Sequence, residues 1–162
     1  MPGRVELLGQ MREFAWNREG WFVPLEEALR GLTAREAAWQ PPGGGLTIWQ
    51  TLRHLNYWNA YMLRQITGAP PDAPDLENEE TFGPPGNPDD EDGWQAEIAR
   101  ARQLAGELRA ALANLSESEL DRPLADMGTA AASLGAWLMH DAYHTGQIIL
   151  LRRLQGAWPP RS

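Results

Sequence analysis

HDAYHTGQIILLRRLQG, residues 140–156, carries two of the chain's three histidines four residues apart, in a run with no strand-like alternation. On a helix that spacing aims both imidazoles the same way. Steps of three and four lead from Trp137 through His140, His144 and Gln147 to Leu151 and Leu154, a seam that is apolar at its ends and polar in its middle. A polar group buried there without a partner costs about 1–3 kcal/mol, so three of them need something to bind. Two arrangements meet the need: a metal ion shared by the imidazoles, or core histidines satisfied by hydrogen bonds and ordered water.

The same helix is predicted to run from Ala131 to Gln155, stopped by Gly156, Pro159 and Pro160. Before it, residues 93–115 place apolar side chains at Trp94, Ile98, Ala101, Ala105, Leu108, Leu112 and Leu115, the alternation of a bundle helix, with Asp89 to Asp92 suited to its N-terminal dipole. Residues 46–68 open on Thr47 and Gln50 in capping-box order and close on Gly68. Ile48, Leu52, Leu55, Met62 and Ile66 form that helix's seam, interrupted by Asn59, and His54 lies on a strip beside it with Thr51, Trp58 and Tyr61. In residues 5–32 Pro24 forces a break or restart near Gly20, which sets Trp16, Trp21 and Phe22 around a bend. Four long helical segments without a strand pattern predict an all-α fold, a four-helix bundle.

Residues 68–93, GAPPDAPDLENEETFGPPGNPDDEDG, are the one long connection, and their proline, glycine and acid content predicts a solvated crossover rather than packed structure. A lid is the functional alternative. A calcium loop is not expected, because DDEDG lacks alternating ligand spacing.

At 162 residues the chain is the length of one domain, read as 1–162. It has no cysteine, so thiol chemistry would need an external thiol. Net charge is −8, yet nine of the 22 acids lie in residues 68–93, at Asp72, Asp75, Glu77, Glu79, Glu80, Asp89, Asp90, Glu91 and Asp92, and the remainder is nearly neutral. All the basic residues are arginine and they form no cluster, so nucleic acid is not an expected partner. Neither a secretory signal nor a spanning segment is legible, which leaves a cytoplasmic chain without membrane contact as the expectation.

LEEALRGLTAREAAWQPPGGGLTIWQTLRHLNYWNAYML (residues 25–63) and HDAYHTGQIILLRRLQG resemble, in that order, the first-helix exit, proline-glycine turn, histidine-bearing second helix and last-helix signature of the DinB/YfiT-like family. The resemblance implies a four-helix bundle and a metal triad at His54, His140 and His144, every histidine in the chain. Three protein ligands leave room on a divalent transition ion, nickel, zinc or iron, for a reacting group. Where relatives carry a glutamate five residues after the first histidine, this chain has Asn59, which cannot act as a base. Gln147 is present in relatives, as a site residue or a packing partner. Tyr57, Trp58, Tyr61 and Trp137 read as core aromatics.

The resemblance further implies a small-molecule substrate and an S-transferase-like activity with a low-molecular-weight thiol, bacillithiol or mycothiol, ionised at the metal. A hydrolase using water at the same site is the alternative, as is a non-catalytic, stress-linked bundle that binds a metal or small molecule. A homodimer is among the assemblies the resemblance allows.

Overall fold

The computed structural model describes residues 2–125 and 127–159. Helices α1 (Arg4–Trp16), α2 (Leu25–Leu29), α3 (Ala34–Ala37), α4 (Ile48–Thr67), α5 (Glu91–Ala113) and α6 (Ala130–Leu154) follow in order, with 3₁₀ helices at Asn78–Phe82 and Glu117–Asp121. Four of them, α1, α4, α5 and α6, are long enough to build the bundle, and the described residues hold no named strand. None of the helices described is long and apolar enough to cross a membrane.

Local sequence sets the boundaries. Thr47 and Gln50 form the expected capping box of α4, each side chain receiving the other's backbone N–H at 3.1 and 3.0 Å. Gly68, at φ 71°, ends the helix by returning its N–H to Arg64 at 2.8 Å, a left-handed turn that glycine adopts without strain. Asp90 caps α5 through Gly93 at 2.9 Å. Asn17 ends α1, Pro24 stands before α2, and the predicted break lies between them, with Trp16 buried and Trp21 fully exposed. Gly156 follows the end of α6 as predicted, while Pro160, also expected there, lies outside the described residues.

Two apolar clusters fill the bundle. One contains Leu25, Ile48, Trp49, Leu52, Leu55, Trp94, Ile98 and Ile148, and the other Leu8, Met62, Leu104, Leu108, Leu134, Trp137 and Leu138. Along α4 the chain passes from the first cluster to the second, and α5 does the same, whereas α1 and α6 run from the second to the first. Helices α4 and α5 are therefore parallel neighbours, with Trp49 against Trp94 near both N-termini, ring centroids 5.4 Å apart. A parallel pair needs a crossover that travels the length of the bundle, which is why one connection is long.

That connection is exposed along most of its length, as its composition predicts, but it is also packed against α4. Its second half is strapped to α4: Thr47 Oγ1 donates to the Pro85 carbonyl at 2.7 Å, Gln50 Nε2 to Gly83 at 2.8 Å and Arg53 Nη1 to Pro84 at 2.7 Å. At Gly86, φ 97°, a Cβ would lie 2.6 Å from the Trp49 ring, so only glycine allows this approach. Composition does not reveal this strap, because it is made by backbone carbonyls that side chains of the neighbouring helix satisfy.

Helix α6 departs from the predicted seam by about one residue. Leu154 is exposed and His140 half-buried, while the buried face runs through Leu134, Leu138, Asp141, Thr145, Ile148 and Arg152. Asp141, not a histidine, points most directly inward. Arg12 of α1, itself buried, sits 3.2 Å from its carboxylate and makes that burial tolerable.

Candidate metal centre

On α6 His140 and His144 occupy the gap between the two clusters, and on α4 His54 stands at the first cluster's edge, beside Leu55. On α4 the first cluster ends at Leu55 and the second begins at Met62; on α6 the second ends at Leu138 and the first resumes at Ile148. Because α4 and α6 are antiparallel, His54 falls opposite His140 and His144 in that polar layer. A ligand nitrogen from each of the three lies within 4.8 Å of the others, and Nε2 of His54 is 3.0 Å from Nε2 of His140. Among the described residues no carboxylate joins this cluster.

Hydrogen bonds at the far side of two rings fix which nitrogen faces the others. Thr81 Oγ1 gives its single proton to the Asn78 carbonyl at 2.6 Å, so at 2.6 Å from His54 Nδ1 it accepts, and the ring is the Nδ1–H tautomer. Gln147 Oε1 likewise accepts from Nδ1 of His144 at 2.6 Å. Both Nε2 lone pairs are thereby left for whatever lies between the rings. Phe82 stacks on His54 with centroids 4.0 Å apart and planes 3° from parallel, and Trp58 meets the same ring edge-on at 6.3 Å.

The environment opposes protonation. Burial first, then the neighbouring His144 and His140, push His54 down to about 3, and burial holds His144 below its ordinary value against the opposing pull of its bond to Gln147. Three imidazoles whose nitrogens converge are the donor set a divalent transition ion takes, and small ring shifts suffice to bring three nitrogens about 2.0–2.1 Å from one point. The residues fit such an ion.

An apolar cavity of about 410 Å³ opens against His140, lined by Trp58, Tyr61 and Trp137 together with Asn78 and Met127. Trp58, Tyr61 and Trp137 are thus pocket walls as well as packing residues. Tyr57 points elsewhere, its hydroxyl accepting the Leu76 N–H at 2.7 Å. Asn59 accepts the indole N–H of Trp137 at 2.7 Å, a packing role that fixes one wall.

The family model of the DinB superfamily matches residues 24–148, a span that includes all three histidines. The chain belongs to the DinB superfamily. Its structure matches that of YfiT from Bacillus subtilis, described as "a probable metal-dependent hydrolase with an unusual four-helix bundle topology", at a TM-score of 0.58 and 18% identity over 94% of this chain and 86% of that one. At that identity the likeness is one of fold. No curated protein matches the chain.

Within this DinB bundle the structure brings together the three histidines read from sequence and adds residues that the reading missed. Thr81 and Phe82 sit in the connection taken for solvated, although a threonine and an aromatic amid acids were a local signal of an anchor. Gln147, already singled out in the sequence, is a hydrogen-bond partner of His144 within α6. Asp141 and Arg12 gave no signal, because a buried ion pair between residues 129 apart is invisible until the helices are placed.

Proposed function

We propose that this DinB protein is a metal-dependent enzyme in which His54, His140 and His144 hold one divalent transition ion, nickel, zinc or iron, and that it transfers an external low-molecular-weight thiol of the bacillithiol or mycothiol type to a small electrophile. The observation that carries the metal reading is the tautomer lock: Thr81 and Gln147 hold two Nδ1 protons outward, leaving two Nε2 lone pairs turned toward His140. Bound there, a divalent ion supplies Lewis acidity and lowers the pKa of a coordinated thiol or water.

The chain's own residues do the rest. Phe82 and Trp58 cover the His54 ring, and the cavity walled by Trp58, Tyr61 and Trp137 receives an apolar electrophile beside His140. Two observations favour a thiol over water. The chain has no cysteine to compete for the ion, and none of its described carboxylates is placed as a general base, since Asp141 lies behind His140 and Asn59 is bonded to Trp137. A thiol held by the ion would be deprotonated outright, its proton passing to solvent, whereas bound water would only approach a pKa of about 7, so the thiol depends less on a base.

Hydrolysis is the second reading, supported by the fold shared with YfiT. The test is to load the protein with zinc or nickel and assay thiol conjugation of a model electrophile beside hydrolysis of a model ester. Conjugation with bacillithiol or mycothiol that disappears in His140→Ala supports the transferase. Histidine-dependent hydrolysis without thiol consumption replaces it with the hydrolase, and neither activity overturns both.

A further inference from the structure

Each imidazole of the centre has an outer nitrogen, Nδ1, and the three are not served alike. His54 and His144 each have a partner at 2.6 Å, whereas Nδ1 of His140 lies 3.9 Å from the carboxylate of Asp141, too far for a hydrogen bond, and has no hydrogen bond among the described residues. Oδ1 of that carboxylate, on a residue 0% exposed, has no hydrogen-bond partner among the described residues. An orphaned anionic oxygen in the interior is costly unless some state of the protein uses it.

The proton positions say which state that is. Thr81 makes His54 an Nδ1–H ring, so Nε2 of His54 accepts in its 3.0 Å contact with His140, and the His140 ring donates there from Nε2. Its Nδ1 lone pair then points at a carboxylate lone pair, which accounts for both the 3.9 Å separation and the unused oxygen. To present Nε2 to a metal, His140 has to carry the proton on Nδ1 instead, and the nearest acceptor there is Asp141 Oδ1. The move relocates one proton and leaves the proton count unchanged.

We infer that Asp141, held by Arg12, is a positioning residue that takes the Nδ1–H of His140 as a hydrogen bond when the ring turns its Nε2 to a metal. Arg12 Nη1 binds the other carboxylate oxygen at 3.2 Å, and the guanidinium sits 5.3 Å over the ring of Trp137, which Asn59 anchors. The carboxylate is thus fixed from the side away from the metal, the arrangement that orients a ligating histidine and raises its basicity. The inference rests on the metal reading given above.

The experiment is nitrogen NMR of the imidazoles in the uniformly labelled full chain, before and after one equivalent of zinc. Expected are Nδ1–H rings for His54 and His144 in both states, and a His140 proton that moves from Nε2 to Nδ1 on loading. Zinc affinity of the double variant Arg12→Leu/Asp141→Leu, which leaves no buried charge unpaired, is expected to fall about 10–100-fold. If zinc is taken up while His140 shows no such move, or if the folded double variant binds as tightly as the wild type, the positioning role is overturned and the metal centre stands. If zinc is not taken up at all, the metal reading falls and this inference with it. Should the double variant fail to fold, the wild-type spectra decide.

Discussion

Thr81 Oγ1 lies 2.6 Å from Nδ1 of His54 while its own proton goes to the Asn78 carbonyl. A residue of the long acidic connection therefore sets the tautomer of a residue on α4. Sequence spacing alone does not link them, and the link makes the connection part of the site.

Replacing Thr81 with valine keeps the shape of the side chain and removes the acceptor. The expected result is a fall of about 10–100-fold in zinc affinity with unchanged helical circular dichroism, and recovery in Thr81→Ser. Competition titration against a zinc-sensitive dye measures it; equal affinity in the valine variant would mean that the hydroxyl does not orient the ring.

The connection should also divide in two when shortened. Residues 69–74 are exposed and can be trimmed without loss of metal, whereas removal of residues 78–86 takes away Thr81, Phe82 and the carbonyls of Gly83, Pro84 and Pro85 that α4 holds. Zinc titration of the two deletions is expected to separate them. Equal behaviour would return the whole segment to the status of a passive crossover.

The bundle itself was legible in the sequence because its signals are local: the Thr47–Gln50 capping box, the Gly68 stop and the apolar steps from Trp94 to Leu112 each need only neighbouring residues. The three histidines were legible as a set through the family resemblance. What was not legible depends on distant residues meeting. The three-four seam through the histidines does not show that Asp141 turns inward, because Arg12, which makes its burial tolerable, lies 129 residues away. The strap of residues 83–86 onto α4 was hidden because backbone carbonyls carry no sequence signature.

Acid should destabilise the metal-free protein. His54 sits at about 3 in the folded chain against an ordinary 6.5, and His144 is also lowered, so between those values the unfolded chain binds more protons. Stability from these rings is fully present above pH 6.5 and is lost as pH falls toward 3. Urea midpoints of chelator-treated protein are expected to drop between about pH 7.5 and about pH 5, and less so in His54→Gln. An unchanged or rising midpoint would contradict a buried, neutral His54.

Asn59 is expected to matter for stability before chemistry. Its truncation to alanine leaves the buried indole N–H of Trp137 without its acceptor at 2.7 Å, at a cost of about 1–3 kcal/mol. Urea unfolding of Asn59→Ala beside the double variant Asn59→Leu/Trp137→Phe checks this, since the double removes donor and acceptor together and is expected to recover part of the loss. No loss in the single variant would mean that the indole finds another acceptor.

Elemental analysis of the purified chain, followed by zinc titration at neutral pH of wild type and His144→Ala, tests the convergence of His54, His140 and His144 on one ion most directly. The expected result is about one divalent transition ion bound per wild-type chain and none retained by the variant. A wild-type chain that neither carries a metal nor takes one up, or a variant that binds as well, would contradict it.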